Sequence, residues 1–282
     1  MRIILLFCAL LFPGLVAFAS GHGPVFGYAT PTNSQGEWSF DFGLAGQNAL
    51  PGTELMTRSM FTYGFTPQVQ WSVSTPAVLS TAPVFPSRMT PSSNFESDLG
   101  WRVYHNPDAV GRRFETTVYG GILMPTPQTM GNMLDHLHWA PGVDAAVATG
   151  MASRSHYLWL GGGYARYLER SGDRRPDVLS YSLVYGYRPR PLRKDYPSWD
   201  WRVFGELTGE NWSHVQMAGL AIPRSEGQEV FLGPTVLGIY KTFAISGGVQ
   251  FPLYRDTGPF FARERVRFAI NVSYFLFSSH QH

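Results

Sequence analysis

Apolar and polar residues alternate with a period of two along most of this chain, the signature of strands with two unlike faces. In Glu37–Leu44 the positions Trp38, Phe40, Phe42 and Leu44 share one face, and Glu37, Ser39, Asp41 and Gly43 the other. Phe95–Tyr104 sets Phe95, Leu99, Trp101 and Val103 against Glu96, Asp98 and Arg102. Trp199–Glu210 sets Trp199, Trp201, Val203 and Leu207 against Asp200, Arg202, Glu206 and Glu210. The cleanest run is Arg265–Leu276, where Val266, Phe268, Ile270, Val272, Tyr274 and Leu276 oppose Arg265, Arg267, Asn271 and Ser273. Less regular alternation covers 55–65, 68–75, 114–125, 142–152, 156–168, 178–188, 229–240 and 243–254, so the pattern predicts about twelve strands.

The connections alternate as well. Those after odd-numbered strands (47–54, 76–94, 126–141, 169–177, 211–228 and 255–264) are mostly long and polar or proline-rich. Those after even-numbered strands are mostly tight: Thr66-Pro67, 105–113, Ser153-Arg154-Ser155, 189–198 and Lys241-Thr242. The 189–198 segment breaks the rule and leaves room for one more strand. Short turns at one end and long loops at the other are the pattern of bacterial transmembrane barrels. A soluble sandwich would alternate too, but its apolar face is a core. Here that face carries Trp, Phe and Tyr near the strand ends, as a lipid-facing band with aromatic girdles does. In hydrocarbon every backbone N–H and C=O must be paired, so an all-strand chain has to close on itself. The expected fold is all-β: a closed antiparallel up-and-down transmembrane β-barrel of about twelve strands, in a single domain.

Composition narrows this further. The chain is 44% apolar, 15% aromatic and only 15% charged, which excludes a disordered polymer and a charged coiled coil. Lys194 and Lys241 are its only lysines, and a net charge of +2 leaves no electrostatic footprint for nucleic acid. Met1-Arg2, the apolar run Ile3–Phe12 and the small-x-small Ala17-Phe18-Ala19 read as a secretory signal, with cleavage expected after Ala19. The only cysteine, Cys8, lies in that signal, so disulfides and thiol chemistry are not expected in the exported protein. The expected organisation is a signal at 1–19, an N-terminal periplasmic segment at 20–36, the barrel at 37–277 and a tail at 278–282.

The polar faces place charged residues toward the lumen. The expected lining is Glu37, Asp41, Arg58, Glu96, Asp98, Arg102, Asp200, Arg202, Glu206, Arg265 and Arg267. The first and last strands close the barrel, so Glu37 and Asp41 could meet Arg265 and Arg267 across that seam. Such charges either pair and fill the interior or form a polar path with local fields that select solutes. Asp135-His136-Leu137-His138 sits in a long loop, without the third and fourth ligands that a zinc site needs. Ser155-His156 and Ser213-His214 are sequence neighbours, so within one strand their side chains point to opposite faces and cannot form a nucleophile–base pair. Gly161-Gly162-Gly163 reads as a strand smoothed for a bulky neighbour. No catalytic residue, metal site or cofactor is expected.

Several segments resemble a known family. Gly21-His22-Gly23-Pro24-Val25-Phe26-Gly27 and Gly36-Glu37-Trp38 resemble the start of mature outer-membrane proteins related to the MetA-pathway-of-phenol-degradation family. Phe204–Glu210, Ser225–Pro234 and Gly248–Tyr254 are similar too, in the same order. The resemblance implies a β-barrel in the outer membrane of a Gram-negative bacterium, of a family described as transporters, and carries no catalytic residues. Such barrels often end on an aromatic residue that the insertion machinery reads, whereas here Ser278-Ser279-His280-Gln281-His282 follows Phe277. The expected function is passage or binding of a small solute, hydrophobic, organic or metal-related, by a monomeric barrel. Its expected partners are outer-membrane lipid, the solute and the insertion machinery, with no nucleic acid. The alternatives are a structural or adhesive barrel whose loops carry the contacts, and a lipid hydrolase acting at the rim.

Overall fold

The computed structural model describes residues 23–50, 53–79, 94–109, 111–126, 140–194, 197–258 and 263–276. Twelve long strands form one closed antiparallel barrel: β1 (Trp38–Leu50), β2 (Thr53–Gly64), β3 (Val69–Val78), β4 (Asn94–Ala109), β5 (Arg112–Pro125), β6 (Gly142–Ala152), β7 (His156–Tyr167), β8 (Val178–Tyr187), β9 (Asp200–Trp212), β12 (Gly227–Tyr240), β13 (Phe243–Thr257) and β14 (Arg263–Leu276). Two short strands, β10 (Gln216–Met217) and β11 (Leu220–Ala221), make a separate hairpin in the β9–β12 connection. Each barrel strand pairs with its sequence neighbour, and β1 closes the ring against β14 from Trp38↔Leu276 to Leu50↔Arg263. All twelve strands expected from the alternation are present.

Side-chain exposure follows the pleat. Trp38, Phe40, Phe42 and Leu44 are exposed on β1, while Ser39, Asp41 and Ala45 are buried between them. On β7 every second residue from Tyr157 to Tyr167 is buried, and Leu158, Leu160 and Tyr164 face out. This inverts a water-soluble protein, whose large apolar side chains go inside. At the tight-turn end the outer aromatics gather into clusters. Trp38 lies 4.1 Å from Tyr63 between ring centroids, and Trp199 stacks on both Trp201 and Tyr240 at 5.3 and 5.4 Å. Amphipathic rings in that position suit the level of lipid headgroups.

Three details differ from the sequence reading. The 189–198 segment adds no barrel strand; among the described residues it holds one 3₁₀ turn, Arg190–Leu192, set off by Pro189 and Pro191. The 105–113 segment is mostly strand: β4 and β5 stay paired to Ala109↔Arg112, whereas β3 leaves β4 at Val69↔Trp101. β4 therefore runs past the end of β3 by roughly 25 Å at the usual strand rise, while β5 stays paired with β6 down to Arg113↔Ala152. Pro107 and bulges at Arg102/Tyr104 and Pro107/Ala109 blunt the free edge of β4 against pairing with another chain. At the other end β1 runs to Leu50 and β2 starts at Thr53, so the connection expected at 47–54 is much shorter.

The signal segment with its cleavage point, the 135–138 loop and the 278–282 tail lie outside the described residues. Placing a charge on the outer band tests the inverted pattern. Phe42→Arg is expected to destabilise the barrel by about 2–4 kcal/mol in lipid vesicles, and Phe42→Leu by less than about 1 kcal/mol, read by denaturant unfolding.

Candidate functional site

The lumen is the site, and it is occupied by the chain itself. Residues 23–33, part of the 20–36 segment expected to be periplasmic, lie inside the barrel, because wall side chains satisfy their backbone groups one after another. The Glu206 carboxylate accepts the amide N–H groups of Val25, Phe26 and Gly27, each at 2.7 Å, and also the Thr235 hydroxyl. Tyr28 donates its N–H to Ser182 Oγ at 2.9 Å, and its hydroxyl shares a hydrogen bond with Ser180. Tyr119 and Thr117 donate to the Ala29 and Thr30 carbonyls at 2.6 and 2.7 Å, and Asn33 N–H donates to Gln70. This strap crosses the bore from the β9 wall past β7, β8 and β5 to the start of β1 at the tight-turn end.

Small residues make room for it. The Tyr28 side chain lies on the inner face of β7, where a Cβ at Gly161 would come 2.4 Å from Tyr28 Cβ and one at Gly163 2.6 Å from its hydroxyl. The glycine run is thus a smooth patch for a bulky neighbour, as the sequence suggested. Glu206, Gln250 and the strap amides come from three of the segments that carry the family resemblance, and they converge here: Gln250 bonds Thr208 and the Glu206 carbonyl.

Below the strap, at the tight-turn end, the interior is apolar. Tyr157, Trp159, Val184, Phe204, Leu237 and Phe275 pack with Ala29 of the strap, and the Trp159 and Phe204 rings stack at 6.1 Å. Ion pairs ring this layer. Asp200 holds Arg188 at 2.5 Å and Arg202 at 3.3 Å, while Glu115 holds Arg102 at 2.9 Å and Arg113 at 3.0 Å.

Above the strap the lumen is strongly charged. Arg267, fully buried, pairs with Glu264 and with Glu210 at 3.0 Å, reaches Glu229 at 3.6 Å, and lies over the Phe231 ring at 3.8 Å. Arg255 pairs with Glu229 at 2.7 Å. On the opposite wall Arg175 donates to Asn94 at 3.1 Å and sits over Tyr167 at 4.4 Å. At mid-height Arg58 pairs with Glu96, and Ser74 bonds both.

Of the expected lining residues, Glu37, Asp41, Arg58, Glu96, Asp98, Asp200, Glu206 and Arg267 are buried in the interior, and Arg102 and Arg202 are half-buried there. Arg265 is corrected: it is exposed. The β1–β14 register shifts where Asn48 faces Val266 but Ala49 faces Glu264, which leaves Arg265 as the extra residue. The shift turns Glu264 inward beside Arg267 and Arg265 outward. The expected seam contacts do not form either. Asp41 stands opposite Ser273 and bonds it and Asn271, while Arg267 stands opposite Gln47, roughly 20 Å farther along the strand. Glu37 accepts the Ser34 N–H.

The sequence reading missed Glu115, Asp144, Arg175, Glu229 and Glu264 as interior residues. Glu229 and Glu264 sit beyond bulges that interrupt the alternation, so period two could not assign them a face. Arg175 comes from a connection, where no period applies. The two Ser-His neighbours do not form couples: His156 bonds Tyr185, His214 bonds Glu226, Ser155 accepts from Arg193, and Ser213 accepts from the Asp177 N–H. No three-residue metal-ligand group occurs among the described residues.

The fold is that of an outer-membrane barrel. Among solved structures the chain is similar to an outer membrane channel from Pseudomonas putida F1, with a TM-score of 0.60 and 12% identity over 88% of this chain and 97% of that one. The NanC porin matches at 0.48 and 8% identity over 86% of this chain and 99% of its own, and LpxR from Salmonella typhimurium at 0.46 and 9% over 84% and 100%. At such identities the first likeness establishes architecture, and the other two add nothing to it. No protein-family model matches the sequence, and no curated protein matches it.

Two substitutions test the interior. Each hydrogen bond to a charged group contributes about 1.5–3 kcal/mol, so Glu206→Ala should raise the open population of the strap more than about tenfold. The measurement is the labelling rate of a single cysteine at Val25 by a membrane-impermeant maleimide, with Cys8 removed if the signal is retained. Arg267→Met, which leaves buried carboxylates facing one another, should cost about 3–5 kcal/mol in an unfolding titration.

Proposed function

We propose that this chain is a monomeric outer-membrane channel of a Gram-negative bacterium, through which a small solute passes between the strap and the charged wall. The observation that supports it best is the pairing of an outward apolar band with charged side chains buried in the lumen at mid-height and at both ends. A barrel built only for stiffness could fill its interior with apolar side chains, as the layer around Trp159 does, without burying charges that are costly to desolvate. Export by a cleaved signal ending at Ala19 and delivery by the insertion machinery belong to the same reading, as does membership of the MetA-pathway-of-phenol-degradation relatives. In such a channel the strap sets the bore, and the ion pairs of Arg102, Arg202 and Arg267 set the field along it.

A second reading has one observation in its favour. The 168–177 and 213–226 connections are joined by backbone bonds between Arg174 and Gln216 and from Gly219 to Gly172, with Ala218 N–H on Asp173. Loops fixed to each other in this way suit a contact surface, and replacing them would abolish adhesion while leaving permeability unchanged.

Conductance separates the two. Refolded protein in planar bilayers should give small, discrete current steps, and removing residues 23–33 should raise the step size severalfold. Liposomes carrying the protein should swell in small solutes, with rates altered by replacing Arg102 or Arg202. Absence of current and swelling from both the full chain and the shortened one would overturn passage.

A further inference from the structure

The sequence is nearly neutral overall, but the fold sorts its charges by sign. Among the described residues, eleven Asp and Glu side chains are buried in the barrel, against three Lys and Arg, namely Arg58, Arg175 and Arg267. Four more arginines, Arg102, Arg188, Arg202 and Arg255, are half-buried and ion-paired at the two ends of the bore. Among the described residues, buried or half-buried carboxylates outnumber guanidinium groups of the same exposure by thirteen to nine. The basic side chains that make the chain's formal charge positive stand elsewhere: Arg112, Arg154, Arg166, Arg224, Lys241 and Arg265 are exposed on turns, loops or the outer face.

The imbalance is sharpest at mid-height, beside the strap. Asp41, Asp98, Glu96 and Glu206 lie three to six residues above the lowest rungs of the β1–β14, β3–β4 and β9–β12 pairs, and Arg58, paired with Glu96, is the one buried basic side chain of the described residues at that level. Glu206 is bonded by backbone N–H groups and a hydroxyl, none of which carries a charge. One oxygen of Glu96, Oε1, is buried in the lumen with no hydrogen-bond partner among the described residues.

We infer that the lumen selects for cations and that the solute class is small and positively charged, an inorganic cation or an organic ammonium. The inference rests on the passage reading above. Low-dielectric walls focus the field of a surplus charge along the bore, raising the local concentration of the opposite sign and excluding the same sign. Rings of Asp and Glu act this way in cation channels. The neutral-looking composition of the chain conceals it, because sign is assigned to inside or outside only by the pleat and the bulges.

The test is the reversal potential of single channels across a KCl gradient, repeated with tetramethylammonium chloride. The wild-type chain should pass K⁺ over Cl⁻ by at least about threefold, and tetramethylammonium over Cl⁻ as well. Asp41→Asn with Asp98→Asn, checked for folding by faster migration of unheated than boiled protein, should bring the K⁺ ratio toward unity while current persists. Discrete channels that reverse at zero or on the anion side would overturn cation selectivity and leave passage standing. Absence of channels, with and without residues 23–33, would overturn passage itself and the selectivity built on it.

Discussion

Everything in this structure depends on one constraint: backbone N–H and C=O groups in hydrocarbon have no water to bond and must find each other. The contact of β1 with β14 meets it. Without that pairing, two strands of 13 and 14 residues would each present an unsatisfied edge. Once the ring is closed, the pleat gives each strand one face toward lipid and one toward an enclosed space. The first can be apolar without aggregating, and the second can be polar without facing bulk solvent. The aromatic clusters at the tight-turn end and the ion pairs inside both follow from that division.

The interior then has its own problem. A ring of this size encloses more volume than its own side chains fill, yet buried charges without partners are costly. The strap meets both demands. Its backbone amides supply donors to Glu206 and Ser182, and its carbonyls accept from Thr117 and Tyr119. Tyr28 fills the space over Gly161 and Gly163, and Ala29 joins the apolar layer around Trp159. The remaining charges are held in local groups, around Arg267 at one end and around Glu115 and Asp200 at the other. A barrel arranged this way is narrow at the strap and electrically structured along its length.

Much of this was legible in the sequence, because period two is a local signal that needs no tertiary context. Twelve strands and the inward direction of Glu96, Asp98 and Glu206 followed from alternation alone. The failures have a common cause. Arg265 was assigned inward because its parity matches that of Arg267, and a single bulge in the seam reverses the parity between them. The 23–33 segment lacks alternation, so nothing in its own sequence points it into the lumen. It is held by side chains of strands far away in sequence, such as Glu206, about which a local pattern is silent. The 105–113 stretch of β4 and β5 was read as a connection because two bulges and Pro107 interrupt the period there.

The central claim is that alternate residues of each strand face hydrocarbon and an enclosed lumen. Nitroxide labels placed singly from Trp38 to Ala45 in lipid vesicles report this directly, through collisions with oxygen, which partitions into lipid, and with a water-soluble nickel complex. The account predicts high oxygen collision rates at positions 38, 40, 42 and 44, and restricted motion with low rates of both kinds at 39, 41 and 45. Equal collision with the nickel complex on both faces, or oxygen rates without alternation, would contradict it.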